Sequence, residues 1–271
     1  MKIVIPGGSG QVGTILSRAL HSDGHEVVVL TRRQVYTKKG SDPFLGGQPW
    51  REVRWDGATL GDWTTELEGS DVVLNLSGKS VHCRYTARNR QLILQSRVTP
   101  TRILGEAIGR ARRPPRVWLQ ASTATIYAHR YDAPNDEISG VIGGDEPDAP
   151  RSWRFSIDVA RAWEHAFNDA VVPHTRKVAL RSAMTLSEDR GGIFDTLLGL
   201  VRRGLGGIAG DGRQFISWIH FDDFVRQVLA DKGIAAFVLI IDRRSRIAMR
   251  DILFGDMSAS GVDYAQSRLS A

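Results

Sequence analysis

Hydrophobic residues in this chain fall into short runs separated by longer stretches of mixed character. Lys2 to Ile5, Glu26 to Leu30, Glu52 to Trp55, Val72 to Leu76 and Val117 to Ala121 are rich in β-branched and aliphatic residues and predict strands. Between them, Val12 to Ser22, a shorter stretch near Leu60 to Leu67, and Ala87 to Ala111 predict helices. In the last of these Leu92, Ile93, Ser96, Ile103, Leu104 and Ala107 recur at near-helical spacing. Strands alternating with helices predict an α/β fold with a parallel sheet. The almost uninterrupted apolar character of most strands predicts that helices cover both of its faces.

Beyond Ala121 the pattern loosens. Residues 128–151 hold Asp, Asn, Gly, Pro and Glu without periodicity and predict a long surface loop. A helix follows over Arg154 to Ala170 and a strand over Lys177 to Leu180. Glycines surround a short helix at Phe194 to Arg203. Asp222 opens a helix running to about Asp231, and Phe237 to Ile241 predicts one more strand. The last thirty residues carry only weak signals.

Composition narrows the class. Of 271 residues, 42% are hydrophobic and 24% charged, which excludes disorder as the main state and a coiled coil. No apolar run approaches the roughly 20 residues needed to cross a bilayer. The N-terminus lacks the apolar core of a secretory signal, so a cytoplasmic protein is expected. Cys83 stands alone in the sequence, which leaves no intramolecular disulfide and no cysteine-based metal site. No metal is expected. The net charge of +6 raises the question of nucleic acid. Yet neither arginine cluster (110, 112, 113 and 116, or 243, 244 and 246) is interleaved with aromatics as a base-stacking surface is. The clusters read first as solvated helix ends and loops, with anionic small molecules as the other candidate partners, and charge alone does not choose between them. The oligomeric state is not legible.

The candidate chemistry begins at Gly7-Gly8-Ser9-Gly10-Gln11-Val12-Gly13, between the first strand and the first helix. Such a loop lets the backbone turn tightly and approach a pyrophosphate seated on the positive end of the helix, and its last glycine permits close helix–strand packing. The spacing Gly7-x-x-Gly10-x-x-Gly13 departs from the commoner G-x-G-x-x-G. Its place between strand and helix, with a second strand following, is what favours a dinucleotide. At the end of that second strand stand Thr31-Arg32-Arg33, where an NAD site carries an acidic residue for the ribose 2′-hydroxyl. A guanidinium there suits a 2′-phosphate and would favour NADP by roughly 10- to 100-fold. The alternative is a solvated arginine pair in a loop.

These residues resemble the short-chain dehydrogenase/reductase superfamily in its extended, epimerase-like branch. The nearer resemblance is to an atypical epimerase subgroup whose members often carry an extra C-terminal domain. Besides the glycine loop, it rests on Asn75-Leu76-Ser77-Gly78, Arg84-Tyr85-Thr86, Ser96-Arg97-Val98, Trp163-Glu164, Leu180-Arg181, Gly191-Gly192, Gly204-Leu205-Gly206-Gly207, Gly210-Asp211-Gly212-Arg213-Gln214 and Ser217-Trp218-Ile219-His220, over roughly residues 1–232.

The resemblance implies a Rossmann-type doubly wound sheet over residues 1–180, with a smaller irregular substrate-side region over 181–271, interwoven with the first and shortened. It implies NADP (NADPH) at the carboxyl ends of the strands. Gly7, Gly10, Gln11, Val12, Gly13, Thr31, Arg32, Arg33 and Asn75 to Gly78 would line it. Asp56 would stand near adenine; its alternative is a turn or N-cap aspartate before Gly57. Ser122 and Thr123 both fall where the superfamily carries its substrate-polarising hydroxyl, and which of the two takes that role is left open.

Three departures matter. The superfamily's chemistry uses a Tyr-x-x-x-Lys helix, because an unaided tyrosine near pKa 10 is a poor base at neutral pH. Anchoring on Trp163-Glu164 puts Ser156 in the tyrosine's place and Ala160 in the lysine's. Ile216-Ser217 replace the Arg-Asp pair with which nucleotide-sugar epimerases grip phosphates, although Arg213 lies three residues earlier. The extra C-terminal domain is absent from residues 233–271. His220 and Asp222 read as structural, Asp222 as a helix N-cap, and Cys83 as a small filler. The expected function is an NADP(H)-dependent oxidoreductase or epimerase-like enzyme acting on an unknown small carbonyl or hydroxyl compound. The alternative is a non-catalytic NADP(H)-binding sensor or scaffold.

Overall fold

The computed structural model describes residues 1–33, 48–128, 135–136, 138–146, 151–207 and 217–230. Within them six strands form one parallel sheet: β1 Lys2–Pro6, β2 Glu26–Thr31, β3 Arg51–Arg54, β4 Val72–Asn75, β5 Val117–Ala121 and β6 Arg176–Leu180. Their order is β3-β2-β1-β4-β5-β6. Chain direction across the sheet therefore reverses between β1 and β4. In β1, Ile5 lies opposite Val29 of β2, and Val4 lies opposite Val73 of β4.

Residue alternation within the strands sorts the sheet into two cores. Ile3, Ile5, Val27, Val29, Leu74, Val117 and Leu119 join Ile15, Leu16 and Leu20 of helix α1 (Gln11–Ser22) on one face. Val4, Val28, Leu30, Val73 and Trp118 join Leu104, Ala107 and Ile108 of α2 (Ala87–Arg110) and Phe167 of α3 (Arg151–Asn168) on the other. Because both faces are covered, successive residues are apolar, which is why the strands read as unbroken hydrophobic runs. Each fully buried large side chain contributes about 1.5–3 kcal/mol.

The first core also takes in Ala183, Ile219, Phe224, Val225 and Val228. These belong to a second part of the fold: a two-stranded parallel sheet of β7 (Met184–Leu186) and β8 (Trp218–His220), with helices α4 (Ile193–Arg202) and α5 (Phe221–Ala230). Neither three-residue strand was expected from the sequence. The stretch near Leu60 to Leu67 forms a 3-10 helix, Asp62–Leu67, and another 3-10 turn spans Ala124–Ile126. Asp222 is not the N-cap of α5. The helix starts at Phe221, Asp222 lies in its first turn, and its N–H donates to His220 Nδ1 at 3.3 Å. The strand expected at Phe237 to Ile241 and the motif at 210–214 lie outside the described residues.

Candidate functional site

The glycine loop leaves the carboxyl end of β1 and is tied to β2 and β1, and the segment after β4 bonds the last residue of β1 beside it. Gly7 N–H donates to Leu30 O of β2 at 3.0 Å, Gly8 N–H to Ile5 O of β1 at 3.1 Å, and Leu76 N–H, just beyond β4, to Pro6 O at 2.8 Å. Gly7 has φ +77°, and a Cβ there would lie 2.8 Å from the Leu76 carbonyl carbon and from Ser77 N. Glycine is thus required twice at this position, for the left-handed backbone and for the close approach of the β4 loop. At Gly13 a Cβ would lie 2.5 Å from Gly8 Cα, so the third glycine closes α1 against the loop. Gly10, by contrast, has nothing nearer to such a Cβ than Gly7 O at 3.5 Å.

Gly10 is also the N-cap of α1, and no side chain caps that end or places an acid in its first turn. A helix N-terminus with open N–H groups favours an anion. Val12 adds its backbone there, while its side chain packs against the core. Gln11 reaches the other way. Its Nε2 donates to Ser187 Oγ at 3.1 Å and would lie 2.1 Å from a Cβ at Gly192, so the second part of the fold closes on the first turn of α1.

Thr31 is buried, and its hydroxyl donates to Ser9 Oγ at 3.1 Å, joining the end of β2 to the glycine loop. Arg32 and Arg33 are exposed immediately beyond it. Asp56 stands two residues past β3 and organises a turn. Oδ1 accepts from the N–H groups of Ala58 at 2.8 Å and Thr59 at 2.9 Å, and Oδ2 accepts from Thr59 Oγ1 at 2.6 Å. The Thr59 hydroxyl, then the two amides, hold this carboxyl down to about 2. The carboxylate therefore has a local occupation in the turn.

Asn75 to Gly78 divide their labour. The Asn75 side chain is fully buried. Its Nδ2 donates to Gln120 Oε1 at 2.9 Å and to Thr101 Oγ1 at 3.3 Å, and its Oδ1 accepts from Ser77 N–H at 3.1 Å. Trp163 Nε1 donates to the same Thr101 hydroxyl at 3.0 Å. Asn75 therefore shapes the loop from inside, and Leu76 packs against the core. Ser77 Oγ is buried with no hydrogen-bond partner among the described residues. Such an orphan beside an uncapped helix end fits a polar ligand resting in the crevice. Next to Gly78, α2 grips the backbone of Lys79: its N–H donates to Ser96 Oγ at 2.9 Å, and its carbonyl accepts from Arg97 Nη1 at 3.1 Å. Burial pushes the Arg97 guanidinium below its ordinary value.

At the end of β5 the two candidate hydroxyls separate. Ser122 is buried and donates to Glu164 Oε1 at 2.5 Å. Arg181 grips that carboxylate with two hydrogen bonds of 2.8 Å, from Nε to Oε1 and from Nη2 to Oε2, and donates through Nη1 to Tyr127 Oη at 2.9 Å. The hydrogen bonds to Glu164 foremost, working against burial, hold Arg181 above its ordinary value. Thr123 is only half-buried. Its hydroxyl caps the 3-10 turn, accepting from Thr125 N–H at 3.2 Å and donating to Thr125 Oγ1 at 3.0 Å. Ala160, which the Trp163-Glu164 anchor sets against the superfamily's lysine, is buried with Ile126 and Tyr127.

Sequence reasoning noticed Trp163-Glu164 and Leu180-Arg181 only as motifs and missed the four-residue network. The one available signal was a carboxylate four positions after the buried Ala160, facing the same side of α3. Cys83 is half-buried. Among the described residues no cluster of His, Cys, Asp or Glu is arranged to hold a metal. No helix there is long and apolar enough to cross a membrane.

A parallel sheet in this order, with a glycine loop and an open helix end at its switch point, defines a Rossmann-type dinucleotide fold. The chain belongs to the NAD dependent epimerase/dehydratase family, whose family model matches residues 3–230. It is 33% identical over 228 residues to epimerase family protein SDR39U1 of Bos taurus, covering 82% of this chain and 67% of that one. With epimerase family protein YfhF of Bacillus subtilis it shares 29% identity over 240 residues, 87% of this chain and 72% of that one. Human SDR39U1, solved with NADPH, superposes with a TM-score of 0.69 at 28% identity over 85% of this chain and 70% of that one.

Proposed function

We propose that this protein binds NADP(H) in the crevice between β1 and β4 and acts as an oxidoreductase of the extended short-chain type on a small carbonyl or hydroxyl compound. The observation that carries the cofactor choice is the exposed Arg32-Arg33 pair just past β2, beside the Ser9–Thr31 hydrogen bond, with no acidic residue at that end of the strand. The SDR39U1 structure with NADPH supports the same preference. In this reading the backbone of Gly10 to Gly13 holds the pyrophosphate, Arg32 and Arg33 the 2′-phosphate, and Asp56 and its turn border the adenine. The Ser77 hydroxyl and the Gly78 backbone hold the nicotinamide-side ribose.

When bound, the nicotinamide supplies or accepts a hydride, which is the hard part of the chemistry. The protein's own contribution is a hydrogen bond to the substrate oxygen. Thr123 is the better donor of the two: it is only half-buried and its present acceptor is the neighbouring Thr125 hydroxyl, whereas Ser122 is buried and committed to the Glu164 carboxylate. Without the Tyr-x-x-x-Lys dyad, water or the substrate carries the proton. A second reading, a non-catalytic NADP(H) sensor, is favoured by one observation: the space of the missing lysine is filled by Ala160 packed on Ile126 and Tyr127.

Calorimetric titration of wild type and Arg32→Ala with NADPH and NADH tests the cofactor assignment. Losing one charged partner weakens NADPH by about 1.5–3 kcal/mol and leaves NADH nearly unchanged. Equal affinity of the wild type for both cofactors refutes the assignment. NADPH oxidation followed across aldehydes, ketones and quinones separates enzyme from sensor, and a flat trace with every compound supports the sensor.

A further inference from the structure

Between Asp71 and Glu106 the chain carries no acidic residue, yet it holds Lys79, Arg84, Arg88, Arg90, Arg97 and Arg102, together with His82. The first four of these cations fall in one continuous stretch. It begins beside Gly78 at the cofactor crevice, where α2 pins both backbone groups of Lys79, and ends in the first turn of α2. At its far end it docks on α3: the Tyr85 ring stands edge-on to Phe155 at 5.6 Å. Phe155 immediately precedes Ser156, the position from which the superfamily's tyrosine works on substrate. Residues 79–90 therefore span the ground between cofactor and substrate.

Arg90 is the organised cation in this wall. Its Nε donates to Tyr85 O at 3.1 Å, and its guanidinium lies 4.8 Å from the Phe155 ring centroid and 5.9 Å from that of Tyr85. Among the described residues neither Arg90 nor Lys79, Arg84 and Arg88 has an ion-pair partner. A guanidinium fixed by one hydrogen bond and an aromatic face, with its remaining N–H groups uncommitted to a carboxylate, is suited to bidentate recognition of an oxyanion. Ile216-Ser217 replace the Arg-Asp pair with which the epimerases grip phosphate.

We propose that residues 79–90 are the anion-recognising wall of the substrate site, and that the substrate is a small carbonyl or hydroxyl compound bearing a carboxylate or phosphate that Arg90 binds. This rests on the NADP(H) oxidoreductase reading above. The test uses the full chain saturated with NADPH and follows cofactor fluorescence during titration with benzoate, phenyl phosphate or neutral benzamide. At least one anion binds saturably and at least about tenfold more tightly than benzamide, and whichever binds better identifies the headgroup class. Arg90→Gln weakens that anion by about tenfold or more, and Arg90→Lys does not restore it because the planar fork is gone. Equal binding of benzamide and both anions, or unchanged anion affinity in Arg90→Gln, overturns the proposal.

Should Arg90→Gln fail to fold, the exposed pair Arg84→Gln/Arg88→Gln replaces it. A loss of anion affinity at low salt supports the wall, and no loss overturns it. If the wild type binds no NADPH, the oxidoreductase reading falls. The anion site is then read from the thermal shift of the cofactor-free protein with phenyl phosphate or benzoate against benzamide.

Discussion

Glycines of one loop differ in what they do, and the differences are measurable. Gly13→Ala drives a Cβ to within 2.5 Å of Gly8 Cα, backbone against backbone with no flexible end to yield. We expect a loss of about 1–3 kcal/mol or more in urea unfolding. Gly10→Ala meets only ordinary contact and has φ −78°, so it costs only what alanine loses to glycine as an N-cap, about 0.5–1 kcal/mol. Equal effects of the two substitutions contradict this account of the loop. Asp56 offers a second residue-scale test. Its carboxyl is held down to about 2, first by the Thr59 hydroxyl. A depressed carboxyl pKa stabilises the turn above the usual carboxylate range, and that contribution fades as pH falls toward 2. Thr59→Val removes the hydroxyl and raises the Asp56 midpoint, measured by carbon NMR of the carboxyl. An unmoved midpoint reassigns the shift to the amides. The glycines of the loop were legible in the sequence because their spacing is local. The division between Ser122 and Thr123 was not, since it depends on a carboxylate forty-two residues away.

Among the elements, α3 is fastened to the sheet by a polar clamp rather than by apolar packing alone. Glu164 is nearly inaccessible and Arg181 is partly so, with side-chain exposures of 9% and 26%. Removing one partner strands the other in a poorly solvated place. We expect Arg181→Met to cost about 3 kcal/mol. The double variant Arg181→Met/Glu164→Leu recovers part of this, because an apolar pair leaves no orphaned charge. Denaturant melts of the three proteins check it, and a double variant less stable than the single one speaks against a clamp. Long helices such as α1 and α2 were readable because periodicity accumulates over many residues, and most strands of the main sheet because burial on both faces makes each a run of apolar residues. Met184–Leu186 and Trp218–His220 are too short to show any period, and each is a strand only because the other lies beside it.

At the scale of the molecule, the first core runs without a break from Ile3 and Ile5, through α1, to Ile219, Phe224, Val225 and Val228. The Rossmann sheet and the part that follows it therefore share one interior. Phe224→Ala is expected to cost about 3–5 kcal/mol and to lower a single unfolding transition seen alike by far-ultraviolet circular dichroism and tryptophan fluorescence. Two separate transitions argue for independent units. By itself the sequence determined the alternation of strands and helices, the glycine loop at the first turn, the arginines beyond β2 and the absence of a Tyr-x-x-x-Lys dyad, all of them carried by residues near one another in the chain. Only the tertiary structure decided which strands became neighbours, that Asn75 works from within while Ser77 keeps an unpartnered hydroxyl, and that Ser122, Tyr127, Glu164 and Arg181 meet. The physical reason is common to all three. A hydrogen bond or ion pair between residues far apart in sequence exists only after the sheet has brought them together, and nothing in local propensity records it.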